Sequence, residues 1–77
     1  MDLKEAGQKW EELHELWVFA NQEARRMELK NTHHYKACAE GRGTGPSTAD
    51  LAQADMLRRI ANDAQAECDE FVRRVFR

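Results

Sequence analysis

A single interruption, Gly41-Arg42-Gly43-Thr44-Gly45-Pro46, constrains most strongly what this chain can fold into. It holds three of the four glycines and the only proline of the 77 residues. Glycine ends a helix cheaply in the left-handed conformation, and proline cannot continue one. The segments on either side are rich in Ala, Glu, Leu, Arg, Gln and Lys, which are strong helix formers. The sequence therefore predicts an all-α chain of two helices joined by a turn.

The predicted bounds are helix 1 at about 3–40, the turn at 41–46 and helix 2 at about 47–76, within one helical-hairpin domain, 1–77. Ser47, followed three residues later by Asp50, is a capping-box-like helix start. Two long helices with so short a connection usually fold back antiparallel. With the turn centred on Gly43 and Thr44, opposite charges support this pairing. Glu11, Glu12 and Glu15 then come level with Arg77, Arg74 and Arg73, respectively.

Both predicted helices carry an apolar side. In helix 1 a heptad seam, apolar in its first part and mixed later, consists of Leu3, Ala6, Trp10, Leu13, Trp17, Ala20, Ala24, Met27, Asn31, His34 and Cys38. In helix 2 the apolar arc consists of Ala54, Leu57, Ile60, Ala61, Ala64, Cys68, Phe71, Val72 and Val75, widened by Leu51 and Phe76. The widened arc covers roughly 160° of the helix. One partner helix cannot cover such an arc.

The stretch Glu15-Leu16-Trp17-Val18-Phe19-Ala20 contains more apolar residues than the seam requires. Trp17 and Ala20 belong to the seam, but Phe19 points about 140° away from its centre. Exposed apolar patches usually mark interaction surfaces. The predicted interface consists of Leu16, Val18, Phe19, Leu51, Val72 and Phe76. The expected occupant is a second copy, giving a homodimeric four-helix bundle; the alternatives are a different protein partner and a folded-back N-terminal segment.

Charge and cysteine content narrow the function classes. Lys and Arg number 12 against 14 Asp and Glu, so the net charge of −2 makes nucleic-acid binding unlikely. No apolar run approaches the about 20 residues that a membrane helix needs. With two cysteines and no secretory signal pattern, we expect a reduced, cytoplasmic protein without a disulfide.

Three residues near the turn, His33, His34 and Cys38, are capable of binding metal. His34 and Cys38 share a helical face at i and i+4, which supplies half of a four-ligand zinc site. The preferred interpretation is a partly buried polar end of the seam, with no metal and no cofactor. A dimer that brings two such halves together is the open alternative.

The segment Glu11-Glu12-Leu13-His14-Glu15, with Glu67 and Glu70 on helix 2, resembles the acidic magnesium-binding helices of all-helical nucleotide pyrophosphohydrolases. The resemblance would imply a metal-dependent enzyme, whereas a solvated surface paired with arginines is the preferred interpretation. No catalytic constellation is predicted. The expected function is a small non-enzymatic protein-binding regulator or inhibitor, of the kind that phages and other mobile elements carry. The alternatives are a metal-dependent enzyme and a DNA-binding regulator.

Overall fold

The structure, a computed structural model that describes residues 1–76, consists of two α-helices packed against each other. Helix α1 spans Leu3–Ala39 and helix α2 spans Thr48–Val75. They run antiparallel in a rod of 58 × 17 × 15 Å, which is only one helix pair thick. The prediction of an all-α chain with two packed helices is confirmed.

Side-chain oxygens cap the start of both helices. The carboxylate of Asp2 accepts a hydrogen bond from the amide of Glu5 at 2.7 Å. The hydroxyl of Ser47 accepts one from the amide of Asp50 at 3.0 Å. Each bond satisfies an amide that has no partner inside the helix. The Ser47 cap follows the predicted pattern, and the Asp2 cap is a feature that the sequence analysis missed.

Helix α1 ends in a Schellman motif at Gly41, which has a φ of 78°. The amide of Gly41 donates to the carbonyl of Cys38 at 3.0 Å, and the amide of Arg42 donates to the carbonyl of Ala37 at 2.7 Å. This pair of bonds defines the motif, and its left-handed residue favours glycine. The predicted role of Gly41 as a helix stop is therefore found in the structure.

The core is a strip of small side chains between the helices. Its buried members are Ala6, Ala24, Ala54, Ala61, Cys68 and Phe71, together with Asn31. Small residues let two helix backbones approach closely. Larger seam residues, such as Trp10, Trp17 and Met27, flank the strip and stay half-buried. Within residues 1–76 Phe71 is the one large side chain that is buried, so the core of the hairpin is a single narrow strip.

The contact of Asn31 with α2 departs from the predicted register by six residues, about 9 Å along the helix at 1.5 Å per residue. Asn31 donates from Nδ2 to the carbonyl of Asp50 at 3.2 Å, whereas a turn centred on Gly43 and Thr44 would place Met56 opposite Asn31. The reason lies in the connection. A Cβ built on Gly45 would lie 4.0 Å from the Cβ of Cys38, so the loop runs back along α1.

The shift changes the surroundings of several predicted positions. Glu12 pairs with Lys9 at 3.9 Å and Arg73 with Glu70 at 3.1 Å, both within one helix, and Arg77 lies outside the described residues. Leu3 and Cys38, predicted on the seam, are exposed because α1 extends beyond α2 at both ends. Ile60 and Val72, predicted on the arc of α2 that faces α1, are exposed as well.

Candidate protein-interaction surface

One side of the hairpin, here called the ion-pair side, is closed by a polar network between the helices. Arg58 donates from Nε and Nη2 to the carboxylate of Glu28 at 2.9 and 2.7 Å. It also donates from Nη1 to Oδ1 of Asn21 at 2.9 Å. A bidentate arginine–carboxylate pair has defined geometry and joins the two helices at mid-length.

The network makes stability depend on pH. The hydrogen bonds from Arg58 lower the pKa of Glu28 below its ordinary value of 4.5. The contribution of the pair is thus fully present above pH 4.5 and is lost as the pH falls through the lowered pKa. We expect Arg58→Met to reduce the free energy of unfolding at pH 7 by about 0.5–1 kcal/mol, the range of an exposed pair. Chemical denaturation at pH 7 and at pH 2 should show this difference shrinking in acid, while Arg59→Met, on the outer face, should show no such change.

Aromatic stacking on α1 belongs to the same side of the seam. The ring of His14 stacks on Trp10 with centroids 4.7 Å apart and an interplanar angle of 16°. It meets Trp17 edge-on at 5.5 Å and 69°. This ladder uses the i, i+4 and i, i+3 spacing of a helix. It covers part of each indole, which leaves the tryptophans half-buried although no third helix is present.

The opposite side, here called the apolar side, is formed by Leu16, Phe19, Met56 and Ile60. The exposed fractions of these residues are 61%, 64%, 50% and 49%, respectively. At 100° per residue, Leu16 and Ile60 lie across the seam from Glu28 and Arg58. A hollow lined by Leu13 of α1 and by Phe71 and Arg74 of α2 marks the same side nearer the helix ends. The apolar side therefore takes side chains from both helices.

The exposed area of the whole chain agrees with an uncovered surface. The accessible area is 5966 Å², whereas a compact monomer of this length exposes roughly 4,800 Å². The excess exceeds the about 800 Å² that each partner buries in a standard interface. A rod one helix pair thick cannot bury this surface by itself.

The predicted interface residues fall on two different sides. Leu16 and Phe19 lie together on the apolar side, whereas Val18, Leu51, Val72 and Phe76 lie on the ion-pair side by the same helical geometry. The latter four are less exposed, with Val72 at 37% and Phe76 at 43%, and the ring of Phe76 packs edge-on against Phe71 at 6.0 Å.

Two members of the apolar side, Met56 and Ile60, are missing from the predicted interface. Ile60 was assigned to the side of α2 that meets α1, and Met56 to no apolar surface. Their spacing of four residues on α2 was the available signal. The angular width of the apolar arc indicated that some of its members would stay uncovered, without showing which.

The alternative of a folded-back N-terminal segment is wrong. Helix α1 begins at Leu3, directly after the Asp2 cap, and continues without a break to Ala39. No part of residues 1–76 folds over Phe19, whose exposed fraction is 64%. Residues 1–76 therefore leave the apolar side uncovered.

The metal-capable residues near the turn differ in exposure. His34 is half-buried, whereas His33 and Cys38 are exposed. Among residues 1–76 no three His, Cys, Asp or Glu side chains form a group able to hold a metal ion. The open alternative of a site completed by a second copy stays untested.

The two cysteines are free thiols in contrasting environments, with Cys38 exposed and Cys68 buried against α1. We expect a water-soluble disulfide reagent to modify Cys38 at the rate of an open peptide thiol. Modification of Cys68 should be slower by about two orders of magnitude or more, because it requires local opening of the helix pair. Mass spectrometry over time would measure both rates. Equal rates would contradict the buried position of Cys68.

The acidic clusters are brought closer together than the predicted register implies. Glu67 and Glu70 of α2 line a hollow with Leu13, the neighbour of Glu12 on α1. Lys9 and Arg74 line the same hollow and balance its charge. The lining is mixed in charge, and on α1 Glu12 pairs with Lys9 rather than with an arginine. A metal-dependent enzyme stays the alternative to the predicted solvated surface.

Comparisons with protein-family models, with curated proteins and with solved structures give no match for this chain. Neither helix in the described part of the chain combines the length and apolarity needed to cross a membrane.

Proposed function

We propose that this protein is a small, non-enzymatic, cytoplasmic regulator or inhibitor that acts by binding another protein, and that its working form is a homodimeric four-helix bundle. The observation that carries the proposal is the apolar side, where Leu16, Phe19, Met56 and Ile60 have exposed fractions of 49–64%. Large contiguous apolar patches on a small domain usually serve recognition.

The energetics of a two-helix rod support self-association. A chain of this size has a marginal core unless a partner, a metal or a disulfide adds to it. Its buried strip consists mainly of alanines, each of which contributes little apolar area. A second hairpin placed on the apolar side buries side chains from both helices at once. The resulting bundle has the layered core that isolated hairpins lack.

The composition of the surface favours a protein as the regulated target. Charges of both signs occur along α1, where Glu23 pairs with Arg26 at 3.8 Å and Glu12 with Lys9 at 3.9 Å. Nucleic acid binding requires a sustained positive stripe. A mixed rim around an apolar centre is typical of protein–protein interfaces.

The test has two stages. Sedimentation equilibrium over a range of concentrations should show a dimer at low micromolar concentration; a wild-type monomer at high micromolar concentration would exclude self-association. Immobilised wild type and Phe19→Glu are then exposed to lysate of the native host, with mass spectrometry of the retained proteins. A metal found by elemental analysis, or a salt-dependent shift of duplex DNA, would instead favour an enzyme or a DNA-binding regulator.

A further inference from the structure

We propose that the occupant of the apolar side is a second copy docked antiparallel, with the turn of one hairpin beside the open end of the other. The inference rests on the proposed self-association and adds its geometry. Each contact between the copies occurs twice, since the same surface is used by both molecules.

The position of the apolar side along the rod supports this arrangement. Arg58 of α2 donates hydrogen bonds to both Asn21 and Glu28 of α1. Met56 and Ile60, each two residues from Arg58, therefore lie level with the interval 21–28 of α1. Leu16 and Phe19 lie just before that interval on α1. The patch is thus centred near the middle of the 37-residue α1. A twofold axis across the rod at this point superposes the patch on itself.

Charge complementarity selects between the two possible directions. Away from the turn, the apolar side carries Glu12, Glu67 and Glu70, against Lys9 and Arg74. Toward the turn, it carries Arg26 and Lys30, each paired within the hairpin, Arg26 with Glu23 at 3.8 Å and Lys30 with Asp50 at 3.7 Å. The half away from the turn therefore carries the net negative charge, and only an antiparallel dimer keeps the acidic half of one copy away from that of the other.

The individual pairs show the same preference. With the twofold axis near the middle of α1, Glu12 of one copy comes level with Lys30 of the other. A parallel dimer places α1 of one copy over α2 of the other at the same level, where Glu12 meets Glu70. Like charges across an interface are unfavourable and help to exclude the wrong orientation.

The native cysteines allow a direct distance measurement. Cys38 is exposed in the last turn of α1, and Cys68 is buried. We would attach a nitroxide to Cys38 in the Cys68→Ala variant and measure the distance between the two labels of a dimer by pulsed electron spin resonance. The antiparallel dimer separates the labels by about 50 Å, at 1.5 Å per residue of α1.

The outcomes of this measurement are distinct. A distance distribution centred near 50 Å supports the antiparallel dimer. A distribution below about 25 Å means that the two labels lie at the same end of the bundle. That result overturns the antiparallel arrangement but leaves self-association intact. Sedimentation of the labelled protein as a monomer overturns both this inference and the proposed dimeric form.

A charge reversal provides the second test. Glu12→Lys is expected to raise the dimer dissociation constant by about tenfold, because Lys30 of the other copy then faces a like charge. The matched control Glu11→Lys, on the other side of α1, should change the constant by less than about twofold. The double variant Glu12→Lys/Lys30→Glu should restore part of the affinity, because Lys30→Glu also breaks the pair of Lys30 with Asp50 at 3.7 Å. Equal effects of the Glu11 and Glu12 variants, or no restoration by the double variant, would overturn the proposed pairing. Circular dichroism of each variant monitors folding.

Discussion

Phe19→Glu is expected to convert the dimer into a monomer of much lower helicity. The side chain of Phe19 is 64% exposed in the single hairpin and lies at the middle of the apolar side. In a bundle, a carboxylate at this position would be buried between chains without a partner. Loss of the phenyl contact alone costs about 3–5 kcal/mol, a large share of the stability of a small domain. The separated hairpin retains only its narrow buried strip and the pair of Arg58 with Glu28, so its helices should fray.

Sedimentation equilibrium and circular dichroism, measured at the same concentrations, decide this prediction. The matched control is Gln22→Glu, which adds a carboxylate on the outer face of α1, three residues from Phe19. It should leave both the dimer and the helicity unchanged. A Phe19→Glu protein that remains a well-folded dimer would show that the apolar side is not the self-association surface. The exposed patch would then belong to a different protein.

Asn31→Asp is expected to lower the free energy of unfolding by about 3–5 kcal/mol at neutral pH, the cost of an uncompensated buried charge. Asn31 is 5% exposed, and its Nδ2 donates to the carbonyl of Asp50. Its Oδ1 has no partner within the described residues. An aspartate would lose the donor and place a carboxylate against a carbonyl oxygen, close to the carboxylate of Asp50.

The same change at Asn21 supplies the control, because Oδ1 of Asn21 accepts a hydrogen bond from Arg58. Asn21→Asp should therefore be neutral or slightly stabilising. Burial raises the pKa of the carboxyl introduced at position 31. The Asn31→Asp variant should therefore lose its full ~3–5 kcal/mol of unfolding free energy above that raised pKa, and the loss should disappear below the ordinary carboxyl pKa of about 4. Chemical denaturation of the wild type and both variants at pH 7 and at pH 3.5 measures this. Equal losses of unfolding free energy in the two variants would contradict the assignment of Asn31 as a buried side chain that donates a hydrogen bond and accepts none.

The capping chemistry shows why much of the fold was predictable from the sequence. Helix stops and starts depend on a few neighbouring residues, so Gly41 and Ser47 could be assigned from their own chemistry. The seam was predictable for the same reason, since the heptad period is a property of each helix alone. Ala6, Ala24 and Asn31 are buried on α1 where that period places them.

The candidate surface was predictable only in part. The excess of apolar residues around Phe19 indicated an uncovered surface, and Leu16 and Phe19 are indeed exposed. Their neighbours on α2 were not found, because two residues from different helices share a surface only at a particular register. A shift of one turn along an α-helix moves a side chain by about 5.4 Å, enough to replace every cross-helix neighbour.

The amino-acid sequence by itself determined the two helices, their ends and the small side chains along which they meet, because these follow from interactions between residues a few positions apart. Only the tertiary structure decided the register, through the loop that returns along α1 past Gly45 and the contact of Asn31 with Asp50. That register places Met56 and Ile60 beside Leu16 and Phe19, and sets Glu28 and Arg58 on the other side of the hairpin. The physical reason is that local periodicity fixes which face of a helix is apolar, whereas the position of one helix along another depends on the conformation of the turn and on contacts between residues far apart in the chain.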